Sequence, residues 1–307
     1  MIYHFAPVQG HTDAPYRHFH ADIYGAETNY YTPFIRLERG DLRSRDLKDF
    51  SSELNEGTHL IPQIIFRNEE ELSTLVQILK NKGVHEIDLN MGCPFPLQTG
   101  HGRGAATVAN EELAKAVAKT VNENDEISFS VKIRLGLNLP DEWRQLIDSL
   151  NHTKLTHIAV HPRVARQQYS GDLYFDEFAK ILNESANPVV FNGEIHTPQD
   201  IDNIFDKFPG IGGIMIGRGL LARPSLIKEY LSGKEWSRAE RVSEMIRFHR
   251  ILLDYYSATL CGDSQIISKI KPFWEYAENE IGRKSWKAIK KASNIAKYHS
   301  AVATIDV

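Results

Sequence analysis

Cys93 stands three residues past Asn90, directly before Pro94 and at the head of a glycine-bearing run, LQTGHGRGAAT. A thiol on such a loop can approach a substrate as proton donor or nucleophile, and it can equally be a small buried hydrophobe. The other cysteine, Cys261, lies beside Gly262 between helical stretches and has no comparable setting. In the stretch Ser128–Leu135, Phe129, Val131, Ile133 and Leu135 alternate with Ser130, Lys132 and Arg134, so one set packs under helices and the polar set points the other way. A lysine placed inside requires an anion or accepting oxygens. The same phase puts Asp88 and Asn90 inward and ends the run at 157–161 on an inward His161. Asn192-Gly193-Glu194 and Gly217-Arg218-Gly219 follow two further apolar runs. Each glycine alone merely permits a tight turn, but both ends together read as backbone N–H groups brought close to a phosphate. The run 100–104 lacks the Gly-Lys-Ser/Thr ending of a P-loop and reads as a movable lid. Thirteen histidines show no HExxH and no paired ligand spacing, so no metal site is expected.

These groups need elements to converge them. Eight strands are predicted: Tyr3–Val8, Asn29–Ile35, His59–Phe66, Glu86–Met91, Ser128–Leu135, His157–His161, Pro188–Gly193 and Gly213–Ile216. Helical patterns at Glu69–Lys82, Glu111–Asn122, Asp141–Leu150, Tyr174–Asn183 and Pro198–Phe205 alternate with them, mostly opening on an acidic residue or proline. The stretch after the first strand, PVQGHTDAP, lacks the dinucleotide glycine fingerprint. The α/β pattern therefore predicts a (β/α)8 TIM barrel rather than an open doubly wound sheet, with the functional face at the carboxyl ends of the strands. From about Ser237 the strand signal stops, and helices are expected over Arg238–Leu260, Gln265–Glu280 and Arg283–His299. The organisation read from this is a barrel over 1–235 and an all-α helical bundle domain over 236–307.

The formal net charge of -4 hides an asymmetry: residues 1–227 hold 22 Lys/Arg against 30 Asp/Glu, residues 228–307 hold 14 against 10. Such a split arises by chance between two solvated surfaces or marks two parts with different partners. With 42% apolar and 25% charged residues, disorder is excluded. No run reaches the ~18 apolar residues of a membrane span, and MIYHFAPVQG lacks the features of a leader. Two cysteines are too few for a disulfide framework, so a soluble, cytoplasmic chain with no membrane partner is expected.

The blocks APVQGHTDAPYR (6–17), PQIIF (62–66), DLNMGCP (88–94), GRGAAT (102–107), VKIRLG (131–136), VHPRVARQQYSG (160–171), NGEI (192–195) and IMIGRGLLARP (214–224) resemble the tRNA-dihydrouridine synthase family, in order and over nearly the whole barrel. The resemblance implies FMN in the barrel, NADPH as its reductant, and tRNA gripped by the helical domain. Hydride would pass from reduced FMN to C6 of a uracil drawn out of the folded RNA while Cys93 protonates C5. Carried over residue by residue, Pro7, Val8 and Gln9 would meet the isoalloxazine, Gln63 its pyrimidine edge and Lys132 its N1/C2 side, with His161 in the same ring of contacts. Asn192, Gly193, Glu194, Gly217 and Arg218 match ribityl-phosphate binders, and Asn90 and Arg163 match uracil or tRNA contacts. Two departures stand out: His161-Pro162-Arg163 where the family commonly has His-Gly-Arg, and Phe95-Pro96 where a small or basic pair is usual.

The resemblance also gives the basic tail a partner. Arg283, Lys284, Lys287, Lys290 and Lys291 recur at spacings that share a helix face, and with Arg247, Arg250, Lys269 and Lys271 they could contact phosphates; Arg283, Lys287 and Lys290 are the tRNA contacts expected on that face. A monomer is expected. An alternative is an FMN-dependent dihydropyrimidine or dihydroorotate-type oxidoreductase acting on a free base, which has no use for the tail; another is a catalytically idle RNA-binding barrel.

Overall fold

The computed structural model describes residues 1–25 and 27–307. Nine parallel strand segments form one sheet: β1 Ile2–Phe5, β2 Thr28–Tyr31, β3 Leu60–Ile61, β4 Gln63–Ile64, β5 Glu86–Met91, β6 Ser128–Gly136, β7 His157–Val164, β8 Val189–Asn192 and β9 Gly213–Ile216, in the order β3-β2-β1-β9-β8-β7-β6-β5-β4. β3 and β4 flank Pro62, whose missing N–H interrupts the ladder for one residue. The Pro62 carbonyl still accepts the Asp88 N–H at 3.0 Å. β3 pairs with β2 and β4 with β5. The two segments are thus one stave, and eight staves close the expected TIM barrel.

Helices connect the strands, most of them covering the outside and the short α4 and α9 lying at the strand ends: α1 Ala14–Tyr24, α2 Ser44–Phe50, α3 Glu69–Lys80, α4 Pro96–Thr99, α5 Glu111–Glu123, α6 Arg144–Leu150, α7 Phe175–Glu184, α8 Pro198–Lys207, α9 Arg218–Ala222 and α10 Leu226–Ser232. Their starts are chemically marked. Asn68 accepts the Glu71 N–H ahead of three glutamates in the first turn of α3, and Thr197 with Asp200 makes a capping box on α8. The outward residues of β6, Phe129, Val131, Ile133 and Leu135, are each at most 1% exposed. Burial of such side chains is worth about 1.5–3 kcal/mol apiece, which fixes the strand's phase and so the inward direction of Lys132. Inside, Ala6, Tyr31, Ile61, Ala159, Val190 and Met215 form an apolar plug, leaving the polar groups toward the strand ends. β1 is shorter than expected because Pro7 has no N–H for a ladder; beyond it Val8 turns the chain by accepting the His11 and Thr12 N–H groups.

The carboxyl-terminal part is all helical: α11 Arg238–Thr259, α12 Asp263–Ile270, α13 Glu278–Ile281, α14 Arg283–Lys291 and α15 Ile295–Val302. Two expected helices are broken. Pro272 ends the one foreseen over Gln265–Glu280, and a 3-10 turn, Lys271–Trp274, takes its place. The one foreseen over Arg283–His299 stops at Ala292, which is extended, and restarts where the Asn294 side chain accepts the Lys297 N–H. The pieces pack around Trp274 and His249, both bonded to the Tyr298 hydroxyl at 3.1 and 2.8 Å. α11 docks on α1 through ring contacts of Tyr16 with Phe248 and Phe19 with Tyr255. No helix of the described residues is long and apolar enough to cross a membrane.

Candidate active site

The strand ends enclose a cavity of about 330 Å³. Pro7, Val8 and Gln9 from the loop after β1 form one wall, and Gln63, Asn90 and Cys93 from β4 and β5 a second. Lys132 and His161 rise from β6 and β7, and the turns after β8 and β9 bring in Asn192, Gly193, Glu194, Gly217 and Arg218. Arg163 stays out of the cavity. Its guanidinium is buried behind the wall, donating to the Gly171 carbonyl at 2.6 Å and to Glu194 at 2.5 Å. Arg283, Lys287 and Lys290 lie exposed on α14, also outside it.

Hydrogen bonds fix the floor. Asp88 accepts from Ser130 at 2.6 Å and from Gln63 Nε2 at 2.7 Å; Gln63 Oε1 accepts from Asn90 Nδ2 at 2.7 Å. The remaining amide oxygen of Asn90 accepts the N–H groups of Gly92 at 3.2 Å and Cys93 at 3.0 Å. Asn90 therefore sets the turn that presents the thiol. Burial pushes the Cys93 thiol up, against the opposing pull of the Phe95 N–H and the nearby Arg134 and Lys132 charges. It is a protonated group at neutral pH. Gly104 packs so closely that a Cβ there would lie 2.8 Å from that of Cys93. Arg103, two-pronged on Glu71 at 2.6 and 3.2 Å, anchors the same loop. The run 100–104, expected as a movable lid, is instead pinned from beneath.

Lys132 donates to Asn192 Oδ1 at 2.9 Å, while Asn192 Nδ2 is spent on the Met215 carbonyl at 2.6 Å. Burial, and then Arg134, lower this lysine to about 8. On the far wall the N–H groups of Gly193, Glu194 and Gly217 meet no protein acceptor among the described residues. Gly193 has φ +139, and a Cβ on it would press the His161 ring at 3.2 Å. His161 Nε2 is buried without a partner, and burial with four surrounding cations holds its imidazole well below the usual range. Glu194 itself, at φ 46, accepts from His196 at 3.1 Å, Arg163 and Arg218 at 2.8 Å. These partners, His196 first, hold its carboxyl down to about 2.

Between residues 4 and 304 the chain matches the family model described as Dihydrouridine synthase (Dus). The chain belongs to the dihydrouridine synthase family. A probable tRNA-dihydrouridine synthase of Treponema pallidum is 25% identical over 92% of this chain and 86% of its own length. A tRNA-dihydrouridine(16) synthase of Yersinia pestis is 26% identical over 90% and 89%. Among solved structures, morphinone reductase aligns with TM-score 0.53 at 11% identity, covering 77% of this chain and 87% of that one. The old yellow enzyme of Trypanosoma cruzi gives 0.52 at 10%, covering 76% and 89%; both show likeness of fold.

Within this dihydrouridine synthase barrel, several cavity residues escaped the sequence reading. Arg134, inward by the phase of its strand, donates to the Val164 carbonyl at 3.1 Å and lies 5.2 Å from the centre of the Tyr169 ring. Arg218 lies over the same ring at 4.2 Å. Tyr169 comes from an irregular loop, where no periodicity signals direction. His11, Glu275 and Tyr276 form the remaining edge, and His11 Nε2 meets Glu275 at 2.9 Å. A partner 264 residues away leaves no local signal. Three of the basic residues expected on phosphates are engaged within the chain: Lys269 pairs with Asp13 at 2.6 Å, Lys271 donates to the carbonyls of Lys290 and Ala292 at 3.0 and 2.5 Å, and Arg247 is two-pronged on Glu244 at 2.7 and 2.9 Å. Lys269 and Lys271 are thus not free for the phosphate contacts expected of them.

Proposed function

We propose that this chain reduces the C5–C6 double bond of uridine in tRNA at the barrel mouth, with FMN held in the cavity and NADPH as its reductant. Family membership over residues 4–304 and relatives named for tRNA dihydrouridine synthesis support the reaction. Three observations fit a phosphorylated flavin: the unpartnered His161 Nε2, the N–H groups of Gly193, Glu194 and Gly217 that lack acceptors, and the cavity's size, which lies in the range of small-molecule sites. Pro7, Val8 and Gln9 would line the ring system, with Gln63 at its pyrimidine edge. The turns after β8 and β9, with Arg218, would hold the phosphate. Glu194 does not oppose that anion by itself, because His196, Arg163 and Arg218 balance its charge. When bound, FMN supplies the hydride for C6 of the uracil.

The remaining steps belong to side chains. Lys132, held by Asn192, would place a cation where negative charge develops on the cofactor. Cys93 carries the proton to C5; burial raises its pKa and so keeps the thiol protonated, and Asn90 holds the loop that aims it. A complete cavity comes from one chain, so a monomer suffices. Residues 1–235 would do the chemistry and 236–307 would grip tRNA, with the exposed α14 face carrying Arg283, Lys287 and Lys290 onto phosphates. The end of α14 rests on Lys271, a few residues from Tyr276 at the cavity edge, so RNA held there lies beside the mouth. A free-base reductase would leave that basic face without a task.

The observation that carries this reading is a protonated thiol fixed on the rim of the same cavity that presents unpaired N–H groups opposite. The test is to supply the FMN-loaded chain and NADPH with tRNA transcript, with uridine monophosphate and with free uracil. Dihydrouridine in the transcript alone is expected; reduction of the free base at a comparable rate would favour the rival.

A further inference from the structure

We propose that Phe95 and Leu97, two residues apart on the loop that carries Cys93, form an apolar shelf on which the bases flanking the target uridine stack, so that this shelf helps hold the RNA at the mouth. The inference rests on the uridine-reducing function proposed above. Both side chains are open to solvent, Phe95 at 46% and Leu97 at 78%. Single exposed apolar residues are ordinary, but these two sit on backbone that is tied down. The Phe95 carbonyl accepts the N–H groups of Gln98 at 2.8 Å and Thr99 at 3.0 Å. Pro94 and Pro96 fix φ on either side of Phe95. The loop then returns through the buried Arg103 and Glu71 pair to Gly104, packed on Cys93. A ring presented on such a frame loses little freedom when something stacks on it.

The position names the occupant. Phe95 lines the cavity, and its ring lies 6.3 Å from that of Tyr169 on the facing loop, tilted by 59°. Aromatic faces from two loops thus flank one side of the entrance, while the helical part, through Glu275 and Tyr276, forms another edge. A uracil drawn into the cavity leaves its neighbours with bare faces at this rim, and aromatic and apolar side chains accept any base by stacking. A second copy of the chain is the weaker occupant: two side chains fall far short of the roughly 800 Å² per partner of a stable interface.

The FMN-loaded full chain, a tRNA transcript and NADPH test the shelf. Phe95→Ala and, independently, Leu97→Ala should raise KM for the transcript, Phe95→Ala by roughly fivefold to a hundredfold, the range of one base–aromatic stack. They should leave kcat within about twofold, and the salt dependence of tRNA binding should not change because no phosphate contact is lost. Phe95→Trp should keep the normal KM and Phe95→Lys should not. Flavin absorbance reports that each variant is folded. Normal KM in both alanine variants, rescue by lysine, or a dimer in sedimentation that Leu97→Asp dissolves while KM stays normal would each overturn the shelf. If the unaltered chain forms no dihydrouridine in any tRNA, the functional reading fails first, and the two failures are told apart.

Discussion

The cavity wall and the outer face of α14 treat charge in opposite ways. At the mouth, Arg163, Arg218 and His196 close on Glu194, Lys132 is held by Asn192, and a chain of side chains from Ser130 through Asp88 and Gln63 to Asn90 ends on the Cys93 loop. On α14, Arg283, Lys284, Lys287, Lys290 and Lys291 are exposed, and none of them meets a carboxylate within 4.0 Å among the described residues. Positions that must hold atoms in place are bound by their neighbours before any ligand arrives, which lowers reorganisation during reaction. The positions proposed to supply charge to tRNA phosphates are left in water. The same residue types are therefore locked for precision in one region and, under the proposed function, left free for attraction in the other.

The sharpest way to break that contrast is to remove the thiol. Cys93→Ala should lower dihydrouridine formation by about 10²–10⁴-fold, the usual worth of a positioned proton donor, while FMN absorbance and tRNA affinity stay near normal. Activity close to that of the unaltered chain would remove Cys93 from the acid's place. Next comes Lys132→Met, which should weaken FMN binding roughly 10- to 100-fold, as loss of a hydrogen bond to charge does. Because burial lowers this lysine to about 8, its cation is present below that pH and lost above it. FMN affinity measured by fluorescence titration should therefore fall as pH rises through about 8, and Lys132→Met should flatten that fall.

What the sequence made legible follows the same division. β6 announces its direction, since Phe129, Val131, Ile133 and Leu135 recur with period two and leave Lys132 only one way to point. The eight staves and the gathering of Asn90, Cys93, His161 and the β8 and β9 turns at one end are consequences of that alternation in a closed sheet. Tyr169 could not be placed so, because its loop has no repeating geometry. The pairing of His11 with Glu275 depends on how α12 and the turn after it fold over the mouth. In the tail, the spacing of basic residues showed a shared face but not which members were engaged. Lys269 and Lys271 have the same composition signal as Lys287, and only three-dimensional packing spends the first two on Asp13 and on helix-end carbonyls. Pro272 and Asn294 were visible helix-breaking signals; the long helices foreseen across them gave apolar spacing too much weight against a missing N–H and a cap.

The free cations of α14 allow a test of intermediate size. Replacing Lys287 and Lys290 by Glu should weaken tRNA binding roughly 10-fold or more at low salt, and each lost phosphate contact should reduce the magnitude of the slope of log affinity against log salt by about 0.7–0.9. The flavin spectrum and the rate of flavin reduction by NADPH should not change. An unaltered slope would mean that this face is only solvated and that the tRNA grip lies elsewhere.

The smallest expected effects lie at Asp13, where the two regions join. Its carboxylate caps α1 by accepting the Tyr16 N–H at 3.3 Å, accepts the Tyr256 hydroxyl at 3.0 Å and pairs with Lys269. Tyr256 and Lys269 belong to the helical part, so one barrel residue holds three partners on three helices, α1, α11 and α12. If its worth lies in the cap and the buried hydroxyl, Asp13→Ala should cost about 1–2 kcal/mol in denaturant unfolding, and Asp13→Asn, which keeps an acceptor, distinctly less. Lys269→Met should cost no more than about 0.5 kcal/mol, because its side chain is 40% exposed and water screens the pair. A loss at Lys269 as large as that at Asp13→Ala would reverse the assignment. It would mean that charge is used for fixed geometry at this junction as it is at the barrel mouth, and that the loose electrostatics of α14 stop short of the interface.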